Sequence, residues 1–161
     1  MEARLNVMAA SPVAAKAMKH IIAAGMALSE STVPASTREL MMLRASQING
    51  CAGCIDMHTK EATAAGETAV RLHLVAAWRE AKVFTEAERA ALELTEQGTR
   101  IADAAGGVPD EVWANAAKHY TEEQLADLVT QIVVINAFNR GNVITQQPAG
   151  DYEAGMVAKF H

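Results

Sequence analysis

Two cysteines stand three residues apart, as Cys51-Ala-Gly-Cys54, and His58 follows four residues after the second. On a helix at 100° per residue, Cys51, Cys54 and His58 fall within one sector of roughly 60°. Cys54 and His58 form an i,i+4 pair, so their side chains are neighbours. Asn49-Gly50 just before reads as a tight turn, which puts both thiols at a helix start. Unsatisfied backbone N–H groups and the positive end of the helix dipole stabilise a thiolate there. An adjacent imidazole adds to this, and such settings bring thiol pKa values from about 8.5 to roughly 3.5–7.5. Two thiols one turn apart can also close a disulfide. The residue types and spacing therefore suit a dithiol redox cycle. Two alternatives use the same residues. One is a pair of small buried hydrophobes beside a surface histidine. The other is zinc held by Cys51, Cys54 and His58 with Glu39 as fourth ligand, although the chain has no further cysteine to supply the usual second ligand pair.

Glu39 follows Ser36 by three residues, a capping-box pattern, and on local physics the cap is its expected role. His20, His73, His119 and His161 have no thiol or carboxylate at useful spacing and read as surface or structural residues. Met41, Met42 and Met57 suit a core or a pocket lining.

The elements that must position these residues read as helices. Ser11-Pro12 opens one to about Leu28. A second runs from Ser36 to about Gln47, a third from about Cys51 to near Gly66, and a fourth from Glu67 to about Lys82. Thr85 with Glu88 starts a helix to about Ala104, a short one spans Pro109–Lys118, and Thr121 with Gln124 opens a long one to about Asn139. Residues 141–161 read as an irregular or a docked tail. Half of the residues are hydrophobic, with 33 alanines and only 7 aromatics, which suits close-packed helices better than a β-sandwich. No period-2 strand stands out. The expectation is a single all-α domain over 1–161, without internal repeats.

Charge and hydropathy exclude other classes. With 14 basic against 19 acidic residues, the net charge of −5 makes no case for nucleic-acid binding. The longest apolar stretch, near Ile132–Phe138, falls far short of the ~20 residues that span a bilayer. The N-terminus lacks the pattern of a secretory signal, so a cytoplasmic location is expected. Leu125, Leu128, Val129, Ile132, Val133, Ile135 and Phe138 cover more than one face of the late helix. Such a helix is either central in its own core or packed also on a neighbouring subunit.

The segment 33–62, Val-Pro-Ala-Ser-Thr-Arg-Glu-Leu-Met-Met-Leu-Arg-Ala-Ser-Gln-Ile-Asn-Gly-Cys-Ala-Gly-Cys-Ile-Asp-Met-His-Thr-Lys-Glu-Ala, resembles the core of the alkylhydroperoxidase D-like proteins of the carboxymuconolactone decarboxylase superfamily. The pattern Glu, eleven residues, CxxC, three residues, His is met by Glu39, Cys51, Cys54 and His58. Ile135-Asn-Ala-Phe-Asn-Arg140 resembles the family's late helix. The close likeness covers about residues 33–83, with weaker support near 120–142.

The resemblance implies an all-helical bundle assembling as a homotrimer or homohexamer. It also implies a thiol-dependent peroxidase in which Cys54 reacts with a small hydroperoxide, Cys51 resolves the product, and Glu39 with His58 relays the proton. The decarboxylase branch lacks the CxxC. One position departs from the founding peroxidases, which carry a further histidine directly before the second cysteine; here it is Gly53. The expected cycle uses an external dithiol reductant and no bound cofactor or metal. A thiol–disulfide oxidoreductase and a non-catalytic redox-sensing oligomer are the alternatives.

Overall fold

The computed structural model describes residues 2–156; the last five residues of the expected tail, His161 among them, lie outside the described residues. Eight α-helices run through the described residues, with no strand: α1 (Val7–Ala10), α2 (Pro12–Ala27), α3 (Ala35–Asn49), α4 (Ala52–Ala64), α5 (Ala69–Leu74), α6 (Glu86–Thr99), α7 (Asp110–Ala116) and α8 (Glu122–Thr145). No helix among them is long and apolar enough to cross a membrane.

Capping chemistry sets most of the starts. Ser11 caps α2 by accepting the Ala14 N–H at 3.2 Å, with Pro12 in the first helical position. Thr85 and Glu88 close a reciprocal capping box on α6, and Thr121 and Gln124 do the same on α8. The third such pattern is not used. α3 begins at Ala35, behind Pro34, so Ser36 is already inside the first turn and Glu39 is free of the cap.

Three boundaries differ from the sequence expectation. The helix expected over 67–82 breaks after Leu74 into a 3₁₀ turn, Val75–Ala77. Beyond it the Arg89 guanidinium from α6 takes the carbonyls of Trp78, Arg79 and Ala81 and holds the irregular segment that follows. α6 ends at Thr99 rather than Ala104. α8 continues past Asn139 to Thr145, through Gly141, and makes 24 residues. Its far end is held from outside: the Arg4 N–H donates to the Thr145 carbonyl at 2.8 Å. The irregular tail therefore begins after Thr145.

α3 lies at the centre, packed on α4, α6 and α8. One of its faces sends Met41 into a core with Leu94, Leu128 and Ile132; the other sends Leu40 and Leu43 into a second core with Leu72, Val75 and Trp78. Each such side chain contributes roughly 1.5–3 kcal/mol by leaving water. Glu96 of α6, 5% exposed, ties the layers together by accepting from Arg44 of α3, Trp78 Nε1 and Arg79. Burial alone would raise its carboxyl, but the bonds from Arg79, Trp78 and Arg44 outweigh this and hold it below the ordinary value. Within α8, Leu128, Ile132 and Ile135 enter the core, whereas Val129 and Val133 stay 40% and 63% exposed.

Candidate active site

α3 ends on Gly50, whose φ of 67° is the left-handed conformation that terminates helices. A side chain there would cost roughly 1–2 kcal/mol. The Cys51 N–H returns to the Ser46 carbonyl at 2.9 Å, so the turn is closed and Cys51 becomes the N-cap of α4. Its Sγ accepts the Cys54 N–H at 3.4 Å. The thiols thus occupy the helix start expected from the spacing. They are joined as a disulfide across a Cα–Cα distance of 5.4 Å. Both are buried, at 1% and 2% exposure.

α3 and α4 pack as a hairpin, which carries Glu39 to the middle of α4. Glu39 Oε2 lies 2.9 Å from His58 Nδ1, with the two side chains 25% and 7% exposed. A carboxylate only accepts, so Nδ1 is the donor of this pair, and in the neutral form of the ring that leaves the lone pair on Nε2. That Nε2 atom is buried and has no hydrogen-bond partner among the described residues. The structure brings all four sequence candidates to one hairpin. It also gives Glu39 a histidine partner where local physics favoured a cap.

The other histidines stand apart: His20, His73 and His119 are exposed. Met41 is core. With the sulfurs bonded to each other and Glu39 engaged by His58, no group of three His, Cys, Asp or Glu side chains among the described residues is set to hold a metal ion.

One further feature was missed by sequence reasoning. Asn142 of α8 donates from Nδ2 to Cys54 Sγ at 3.3 Å. It is the third of three asparagines at three-residue spacing; Asn136 and Asn139 take the Asn49 amide of α3, each at 2.9 Å. That spacing on an apolar helix was the available signal. The tail is the docked alternative and forms a strap. The segment after α8 crosses the first turns of α4, where Asp56 Oδ2 accepts the Gly150 N–H at 2.7 Å and the Tyr152 N–H at 3.3 Å. Lys60 Nζ donates to the Gly150 carbonyl, and Glu61 accepts the Gly155 N–H and the Tyr152 hydroxyl. The Lys60 bond holds the Asp56 carboxyl below its ordinary value; burial opposes this and the Gly150 and Tyr152 amides add to it. A Cβ built on Gly53 would lie 3.5 Å from the Pro148 carbonyl oxygen, so the strap lies directly over the position between the cysteines.

A helical subunit with a CxxC pair at a helix start and a Glu–His pair braced behind it has the alkylhydroperoxidase D-like fold. The chain belongs to the carboxymuconolactone decarboxylase family, whose profile matches residues 12–97. It is 47% identical over 111 residues to the uncharacterized protein YdfG of Bacillus subtilis (strain 168), covering 69% of this chain and 74% of that one. It superposes with a TM-score of 0.86 on ATU0492 of Agrobacterium tumefaciens, a protein of unknown function named for a proposed antioxidant-defence role as AhpD; the identity is 33%, over 94% of this chain and all of that one. The debrominase Bmp8, solved with 2,3,4-tribromopyrrole, shares the fold with a TM-score of 0.76 at 19% identity, over 89% of this chain and 74% of that one.

Proposed function

We propose that the protein is a thiol-dependent peroxidase that reduces hydroperoxides through a Cys51–Cys54 dithiol/disulfide cycle. The observation that carries this reading is the buried, unpartnered Nε2 of His58, a ring oriented by Glu39 and one helical turn from Cys54. His58 takes the proton of the Cys54 thiol. The thiolate attacks one oxygen of the hydroperoxide; the S–O bond forms and the O–O bond breaks. The departing alkoxide recovers the proton from His58 and leaves as an alcohol, with Cys54 now a sulfenic acid. Cys51 sulfur then attacks Cys54 sulfur, hydroxide leaves with the Cys51 proton as water, and the disulfide forms. An external dithiol reduces it by two exchange steps and is itself oxidised to a disulfide. Per turnover, one hydroperoxide and one dithiol give one alcohol, one water and one disulfide. No bound cofactor takes part.

Glu39 serves as the brace that keeps the Nδ1 proton in place and offsets charge on the imidazolium. The exposed Val129 and Val133 stripe on α8 is the face we assign to contacts between copies, in a trimer or hexamer.

Steady-state consumption of an organic hydroperoxide with a small dithiol reductant tests the reading. Activity that disappears in Cys54→Ser is expected. A reduced protein that exchanges disulfides yet leaves hydroperoxide untouched overturns it in favour of a thiol–disulfide oxidoreductase.

A further inference from the structure

Three asparagines of α8 line the side that meets α3 and α4, but they do different work. Asn136 bonds Thr99 and the Ile132 carbonyl besides Asn49, and Asn139 bonds Ser46 and Asn49. These bonds join polar groups that burial would otherwise leave unpaired. The side chain of Asn142 has a single partner among the described residues, the sulfur of Cys54. A disulfide sulfur is a weak acceptor, so this bond contributes little to the oxidised fold. The same donor against a thiolate is charge-assisted and roughly twice as strong. Reduction frees Cys54 Sγ to rotate about its Cα–Cβ bond, and an amide N–H already in place favours the anion in the rotamer that faces it.

We infer that Asn142 is a thiolate-stabilising donor that lowers the pKa of Cys54 specifically and so makes Cys54 the nucleophile of the pair. The consequence for catalysis rests on the peroxidase reading; the effect on the thiol does not. The backbone at the start of α4 favours Cys51 instead, because Cys51 Sγ accepts the Cys54 N–H. The asymmetry between the two thiols therefore comes from groups further away. The titratable groups around Cys54 are Cys51 and His58 on α4 and, through His58, Glu39 on α3. α8 adds the neutral amide of Asn142, while Arg140 on that helix is engaged by Asn136. The strap adds a neutral residue, Pro148, over Gly53.

The test uses the full chain, reduced, with a single thiol. In Cys51→Ser, the Cys54 thiolate is titrated by its ultraviolet absorbance and by alkylation rate against pH. Adding Asn142→Ala is expected to raise the Cys54 pKa by about one unit, a roughly tenfold loss of thiolate below it. Asn142→Asp, of nearly the same shape, replaces the donor with a negative acceptor and is expected to raise it further. In Cys54→Ser, Asn142→Ala is expected to leave the Cys51 titration where it was. Helical circular dichroism identifies any variant that fails to fold, and the isosteric Asp variant then carries the test. An unchanged Cys54 titration in both variants overturns the inference, as does an equal shift of Cys51. A wild-type protein that consumes no hydroperoxide while the Cys54 shift is present overturns the peroxidase reading alone.

Discussion

Glu39 and His58 face each other across the α3–α4 hairpin with Oε2 2.9 Å from Nδ1, although 19 residues separate them in the chain. The contact fixes which ring nitrogen carries the proton, and so decides whether His58 can act as a base.

Glu39→Gln tests that role. A glutamine amide can turn its N–H toward Nδ1, which moves the ring proton to Nε2 and removes the base. Sulfenic acid formation in the Cys51→Ser background is expected to slow by roughly 10²–10⁴-fold at neutral pH, with helicity unchanged. Because Ser36 does not cap α3, no stability is lost with a cap. Equal rates for the variant and its parent return Glu39 to a structural role.

The division of labour between the cysteines is tested by trapping. Peroxide is expected to give a sulfenic acid in Cys51→Ser, located on Cys54 by mass spectrometry, and little in Cys54→Ser at the same dose. His58→Ala added to Cys51→Ser is expected to slow its formation by about 10²-fold or more. A faster adduct on Cys51 reverses the assignment.

Acid is expected to loosen the strap. The Asp56 carboxyl is held below its ordinary 3.8 by Lys60 and the two strap amides. The stabilisation it gives is thus complete above that value and is lost as pH falls through the lower, folded-state value. The amide resonances of Gly150 and Tyr152, followed by NMR against pH, should titrate with a midpoint under 3.8. A midpoint at or above 3.8 refutes the contact.

Assembly is read by light scattering at micromolar concentration. A trimer or hexamer is expected, and Val133→Glu, at the 63% exposed position on α8, is expected to dissociate it without altering the helical signal. A wild-type monomer of 17.1 kDa disposes of the proposed interface.

What could be read from the sequence is what local rules govern. Cys51, Cys54 and His58 lie within one helical span, and periodicity alone gives their common face. Thr85–Glu88 and Thr121–Gln124 formed their caps because nothing nearby starts those helices sooner. Ser36–Glu39 has the same pattern and did not, because Pro34 starts α3 ahead of it and His58 takes the carboxylate. The contact at Cys54 Sγ depends on Asn142, 88 residues away. The asparagine spacing on α8 marks a polar face but does not name Cys54 as its partner. The resemblance supplied the Glu39–His58 partnership that spacing could not.

Gly53 under the Pro148 carbonyl makes two distant stretches of the chain sterically dependent on each other. A methyl group at position 53 fits, but an imidazole aimed at the strap meets its backbone. Position 53 and the segment after residue 146 therefore act as lock and wedge: a side chain there that is longer than a methyl group and points outward pries the strap off the start of α4.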